Sequence, residues 1–277
     1  MALLSLFMAL HQNRYFCLMW RKVTFLLLLA GSVEAQVRVS KLVIREKETY
    51  VLENSDILVA DTLIMMDSSR LVMNKLKPEN YLRVRVARFG KDCVIDAKGI
   101  NGQPGRNGTN GITPTGPCMN GTPGKPGTRG LDGTKAIKLF IYLDRITIRG
   151  QLTIDVSGGD GGRGGHGGAG GGGSPGTMHC NGGNGANGGG AGPGGNGGNG
   201  GILEISVPKP QVFKDLILSK KIVAKVTGGA AGPSGRGGYH GGAGLGPNKK
   251  NGKDGEPGPY AKPGTSGEQG ALIIKGS

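Results

Sequence analysis

Few residues in this chain could do covalent or metal chemistry. Beyond residue 35 it holds three cysteines, Cys93, Cys118 and Cys180, and three histidines, His166, His179 and His240. A nucleophile needs a base beside it, and a metal needs several ligands at close spacing. The histidines are scattered through glycine-rich sequence with no cysteine or carboxylate at ligand spacing, and no acid, base and nucleophile set stands out. Gly-x-Gly-x-x-Gly matches abound, but none lies between a strand and a helix as a nucleotide-binding loop must. The sequence predicts no enzyme, no cofactor and no metal site.

The cysteines point to cross-linking instead. Cys118 and Cys180 lie 19 and 22 residues after Gly99 and Gly158, at corresponding places in two repeats, and in an oxidising compartment they predict a disulfide. Cys93 aligns with Leu152 and Ile222, apolar strand positions, and predicts a buried thiol.

The compartment follows from the N-terminus. Arg21 and Lys22 precede an apolar run, Val23 to Gly31, that ends in Val33-Glu34-Ala35, with small residues placed for a cut before Gln36. Residues 1–35 read as a secretory signal peptide, with Met19 as the start this reading favours. The run is half the roughly 20 apolar residues of a membrane span, so no transmembrane anchor is expected. A secreted or cell-surface location follows. Beyond residue 35, 31 basic residues face 18 acidic ones, a net +13 that favours anionic partners. Arg236-Gly237-Gly238-Tyr239 is too slight a basis for nucleic acid in a secreted protein.

Positioning any of these residues falls to an unusual chain. Glycine supplies 57 of 277 residues, about three times its usual share, and aromatics only 5%. A mainly helical protein and a single large α/β enzyme are both excluded. Three segments align: Cys93 to Gly99, Leu152 to Gly158, and Ile222 to Gly228. Each is a short strand-like run leading into glycine, and each glycine stretch ends in another such run, Ile137 to Leu143, Ile202 to Val207 and Leu272 to Ile274. The excursions span 99–134, 158–201 and 228–270, and within each, glycine recurs every third residue on both sides of a break. Each excursion is therefore two arms with a turn between, six arms in all.

A three-residue period is that of a polyproline-II-like helix. Collagen shares it, but these arms are short and lack steady proline, and disordered glycine linkers would show no phase. On this reading Gly164 is packed while Asn196 lies free on the surface. Residues 36–98 differ in composition, with short β-type runs separated by turn clusters, and predict an N-terminal β platform. The expected fold is all-β: a β-sandwich or β-solenoid platform over 36–98, then three strand and glycine-hairpin repeats over 99–277.

The six Gly-x-x and Gly-Gly-x arms resemble the polyglycine-II bundle proteins, among them the snow flea antifreeze protein and the adhesins at phage tail-fibre tips. The likeness covers the three excursions. In the phage adhesins the loops at the far end of the bundle contact the receptor, which implies tip loops here at Ile112 to Asn120, Ser174 to Asn181 and Leu245 to Asn251. The residues implied for ligand contact are Cys118, Met119, Asn120, Met178, His179, Asn248, Lys249 and Lys250. Two departures matter. Arg106, Arg129, Arg163, Lys253 and Lys262 on the arms weaken an ice-binding reading, and a phage tip protein would need no secretion signal. The expected function is that of a non-enzymatic, adhesin-like surface protein recognising an anionic surface glycan or a surface protein. A structural matrix, fibre or envelope component is the alternative.

Overall fold

A computed structural model describes residues 36–276, so the signal-peptide reading lies outside the described residues. The alternating apolar runs form eleven strands: β1 (Val37–Ile44), β2 (Thr49–Val51), β3 (Ile57–Met65), β4 (Arg70–Val72), β5 (Glu79–Phe89), β6 (Cys93–Asp96), β7 (Lys138–Ile148), β8 (Leu152–Asp155), β9 (Ile202–Val207), β10 (Ile222–Lys225) and β11 (Ala271–Gly276). Odd-numbered strands make one six-stranded sheet and even-numbered strands a five-stranded one, in sequence order and wholly parallel. The chain changes sheet at every connection, which is how a solenoid is built; a sandwich with antiparallel sheets is ruled out.

Both sheets run straight through residue 98. β7, β9 and β11 extend the same sheet as β1, β3 and β5, and Gln36–Ser277 is one compact unit. The expected division into a platform over 36–98 and a separate repeat region does not hold, because each glycine excursion is an insertion between two coils of the same stack.

Inward side chains form register columns. Leu58, Leu82, Ile141 and Ile205 are successive partners across four strands, all essentially inaccessible. Cys93, Leu152 and Ile222, aligned from sequence alone, are register partners in the other sheet and equally buried. Truncating one such leucine costs about 2–5 kcal/mol. The ladder skips Ser40, Asp61, Arg85 and Asp144, which stand at one level. Burial changes phase there, from Leu82 and Val84 to Ala87 and Phe89 in β5. Two successive residues then face outward, so the long strands bend together at that level.

One helix, α1 (Pro210–Leu218), interrupts the passage from β9 to β10. Proline at its first turn suits a helix start, and Phe213 is the residue it buries in the core. Its nine residues are too few to show an amphipathic period in sequence, which is why it went unpredicted.

The excursions leave from β6, β8 and β10 and return to β7, β9 and β11. Apart from one 3₁₀ turn in the third, they are neither helix nor strand, but backbone hydrogen bonds pair them with one another along the arms. Within the first, the limbs run antiparallel: Thr122, Lys125, Thr128 and Leu131 N–H donate to the carbonyls of Ile112, Thr109, Arg106 and Gln103 at 2.8–3.0 Å. Between excursions, the strand register carries over without a slip. Cys93 pairs with Leu152, 59 residues on, and Asn101 bonds Asp160 at that same offset. The return limbs keep the offset of 64 between β7 and β9, with Asn120 on Asn184. Outbound limbs two and three keep the 70 of β8 and β10, with Asp160 on Ala230.

No described glycine occupies the left-handed region, so glycine is present here for its missing Cβ. A Cβ on Gly164 would stand 2.6 Å from the Gly192 carbonyl carbon and 2.7 Å from the Pro193 oxygen. The double glycines of the second excursion follow from its central place. Gly161 and Gly164 N–H donate to the third excursion, while Gly162 and Gly165 N–H donate to the first. Two sides approached by backbone need two residues in three without a side chain. At the outward positions the pressure vanishes, and a Cβ on Gly242 would meet only the Asp254 carboxylate, at 4.0 Å.

These two glycines separate packing from chain entropy. Gly164→Ala is expected to destabilise by about 3 kcal/mol or more through overpacking. Gly242→Ala, with an ordinary φ and open space, should be neutral or stabilising by up to about 1 kcal/mol. Denaturant melts of the two variants check this, and equal effects would contradict the packing account.

Candidate binding site at the excursion tips

The tips are held together side by side. A disulfide joins Cys118 to Cys180 across 62 residues, with Cα atoms 6.0 Å apart. Cys118 takes φ 61°, uncommon for a residue with a Cβ, and is fixed there by its N–H donating to the Pro175 carbonyl at 2.8 Å. Ser174 N–H donates to the Met119 carbonyl at 2.9 Å, and its hydroxyl to the Pro114 carbonyl at 2.5 Å. The third tip is tied to the second through Gly176 N–H on Leu245 O at 2.8 Å and Gly182 N–H on Lys250 O at 2.9 Å. It turns through a short 3₁₀ segment, Pro247–Lys249, with Asn248 at φ 55°.

The residues expected at the tips divide into two groups. Met178, His179, Asn248 and Lys250 are exposed, and Met119 is half exposed. Only the backbone of Lys249 is among what is described. Asn120 belongs elsewhere, since its Oδ1 accepts from Asn184 N–H at 2.7 Å. Ile112 and Leu245, which open the first and third expected tip loops but were not among the residues implied for contact, are 69% and 73% exposed. With Met119 at 52% and Met178 at 80%, the tips present four accessible apolar side chains.

The role of asparagine in the arms was also missed. Asn101 Oδ1 accepts from Asp160 N–H at 2.9 Å, while Gly102 N–H donates to the Asp160 carbonyl at 2.7 Å. The Asn-Gly pair grips both backbone groups of one residue on the next excursion. The same two-point clamp recurs at Asn107, Asn110, Asn120, Asn184, Asn187, Asn196 and Asn199. Asn196 is therefore not free on the surface as expected; its Oδ1 takes Thr265 N–H at 2.9 Å. His166 does the same work through Nδ1, accepting from Arg236 N–H at 2.8 Å. The readable signal was Asn, Asp or His directly before a triplet glycine.

Asp160 and Asp132 are the acidic versions of the clamp. Lys98 Nζ at 2.9 Å and Ala230 N–H at 2.9 Å hold the Asp160 carboxyl below its ordinary range. Asn196 N–H at 2.6 Å, assisted by Arg129, does so for Asp132. Cys93 is fully buried with its Sγ 3.2 Å from the Met66 carbonyl, and burial pushes its thiol up, which keeps it protonated and inert.

A groove with charges of both signs lies at the C-terminal ends of β3, β5 and β7. The turn column Met66, Gly90, Arg149 has a notch at Gly90, where a Cβ would stand 2.8 Å from Asp67 N. The notch lies in a groove of about 640 Å³, lined by Ile64 and Phe89, by Arg88 and Arg149, and by the acidic Glu46 and Asp67. Among the described residues neither arginine has an ion pair. No described group of three or more His, Cys, Asp and Glu is placed to hold a metal, and no described helix is long and apolar enough to cross a membrane.

No family model and no curated protein matches this chain. Among solved structures, it is similar to a nine polyproline type II helical bundle springtail antifreeze protein from Granisotoma rainieri, at 29% identity over 60% of this chain and 94% of that one. The TM-score is 0.10, which is no superposition, so the likeness assigns neither fold nor activity.

The acidic clamps give a pH dependence with a definite sign. A carboxyl whose folded pKa is depressed stabilises the fold above its unfolded value and loses that contribution as pH falls through the folded one. Stability should therefore decline below about pH 4, and Asp132→Asn with Asp160→Asn, which retains both clamp oxygens, should flatten that decline. Thermal melts between neutral and acid pH measure the slope. Cys118→Ser should lower stability by about 2–4 kcal/mol, and non-reducing peptide mapping should find Cys93 as the one described cysteine free to alkylate after denaturation.

Proposed function

We propose that the six glycine arms are polyglycine-II helices packed as a six-membered bundle, and that the chain is a secreted or surface-exposed, non-enzymatic, adhesin-like protein that binds through the bundle's tips. The backbone pairing between limbs, the three-residue glycine period and the absence of left-handed glycines among the described residues all support the bundle. One observation carries the binding role. Three tips are tied to one another by a disulfide and backbone hydrogen bonds, yet they leave Ile112, Met119, Met178 and Leu245 in solvent. Apolar side chains exposed together on tethered end loops of a rigid scaffold are a common setting for recognition.

The partner we assign is an anionic surface glycan or an acidic surface protein. Lys250 and His179 are exposed among the apolar tip residues, and the whole chain carries excess positive charge that would steer such a partner. Methionine is adaptable and packs on irregular surfaces, including the apolar faces of sugar rings. A matrix or fibre component without a specific ligand would need the stack and the arms but not the exposed tips.

The experiment replaces all three tips with short Gly-Asn turns and, separately, converts Arg88 and Arg149 to Ala. Adherence to acidic glycans or whole cells is then measured at physiological salt. The tip variant should lose about tenfold or more in apparent affinity while the arginine variant keeps most of it. The opposite pattern would move the site to the groove at Arg88 and Arg149, and no binding in any form would favour the matrix reading. A thermal hysteresis that survives tip replacement would assign the function to the arm faces instead.

A further inference from the structure

The chain carries ten Asn-Gly dipeptides beyond residue 35. In this pair the small, mobile glycine leaves its amide nitrogen free to attack the asparagine side chain, so a run of them would ordinarily be a chemical weakness. Here the fold restrains both reacting groups nearly everywhere. In the eight clamps, the asparagine Oδ1 is held by a neighbour's N–H and the glycine N–H is committed to the same neighbour's carbonyl; at Asn187 these bonds are 2.8 and 2.9 Å, both to Glu256. Asn251 is held at both ends too, its Oδ1 accepting from Gly246 N–H at 2.9 Å while Gly252 N–H donates to the Gly244 carbonyl at 3.0 Å.

Asn181 is the exception. It is exposed, and among the described residues its side chain has no hydrogen-bond partner; only Gly182 N–H is engaged, with the Lys250 carbonyl at 2.9 Å. We propose that Asn181 is a self-modification site, the one Asn-Gly pair of the folded protein that converts spontaneously to aspartate and isoaspartate. The Gly182 nitrogen loses its proton to solvent base and attacks Asn181 Cγ. A C–N bond forms, and Nδ2 takes up a proton and leaves as ammonia. Water then opens the cyclic imide at either carbonyl, giving the aspartyl or the isoaspartyl chain.

The consequence falls on the tips. Asn181 directly follows Cys180, and Gly182 is the residue tying the second tip to the third. Conversion places a new carboxylate beside the disulfide and, in the isoaspartyl form, lengthens the backbone at that tie. The chemistry stands whether or not the tips bind a ligand; if they bind an anionic one, the new charge weakens it with age.

The test uses the intact, disulfide-bonded protein incubated in mildly alkaline buffer, with peptide mapping for the mass gain of aspartate and for isoaspartate at each asparagine. A denatured and reduced sample gives the intrinsic rates. Asn181 should react about tenfold or more faster than Asn107, Asn187 or Asn196 in the folded protein, because those must first open locally, and the difference should vanish on denaturation. Glu256→Pro removes the N–H that Asn187 holds while keeping the carbonyl that receives Gly188, and it should bring Asn187 up to the rate of Asn181. Equal rates at Asn181 and the clamped positions in folded protein, or an unmoved Asn187 in the folded variant, would overturn the proposal.

Discussion

Everything outside the solenoid core depends on backbone approaching backbone with no side chain between. A buried peptide N–H left unpaired costs about as much as a lost hydrogen bond, and these excursions have almost no apolar area to set against it. The glycine segments solve this by contact alone. In the second excursion Gly164 N–H donates to Pro233 O, Gly165 N–H to Thr128 O and His166 N–H to Asn107 Oδ1, so the three residues of one triplet are satisfied in three directions. Ordering glycine is entropically the most expensive ordering there is, and only such complete pairing can offset it.

Pairing of that kind requires register, and the excursions cannot set their own. A triplet repeat can slide by three residues and remake most of its bonds. The solenoid removes that freedom. Its strands fix offsets of 59, 64, 70 and 69 through buried columns such as Leu58, Leu82, Ile141 and Ile205, and the excursions inherit them. The Asn-Gly clamps then add a local check, because Asn101 finds Asp160 only at the inherited offset. A slipped register would bring clamp residues opposite others and leave charged partners such as Lys98 and Asp160 apart. Strand packing is thus converted into order in a segment with no packing of its own.

Much of this was legible in the sequence, because it rests on period and alignment. The alternating strands, the phase of glycine, the correspondence of Cys93 with Leu152 and Ile222, and the pairing of tip positions Cys118 and Cys180 are all statements about spacing. What was hidden depends on which neighbour lies across a gap of sixty residues. The solenoid could not be told from a sandwich until strand partners were known, and a boundary drawn after Lys98 followed composition where the sheets do not. Asn196 looked like a free surface residue for the same reason: its partner, Thr265, is 69 residues away. The nine-residue helix Pro210–Leu218 is simply too short for its period to stand out.

The arrangement also explains why the excursions differ in composition although they share a fold. The central one, approached from both sides, is nearly all Gly-Gly-x, and apart from the small Ala186 and Ala191 its side chains stand at the outer position, as Asp160, Arg163 and His166 do. The flanking ones have fewer neighbours and can carry bulk such as Ile100 and Arg106, whose counterparts in the centre are the packed Gly159 and Gly165. Chemical variety is therefore pushed to the edges, the outer faces and the ends, and of these only the ends escape the triplet constraint altogether. At the tips alone a residue can be chosen for what it presents outward, and there the chain places methionine, histidine and lysine together with a covalent link that holds the loops in position.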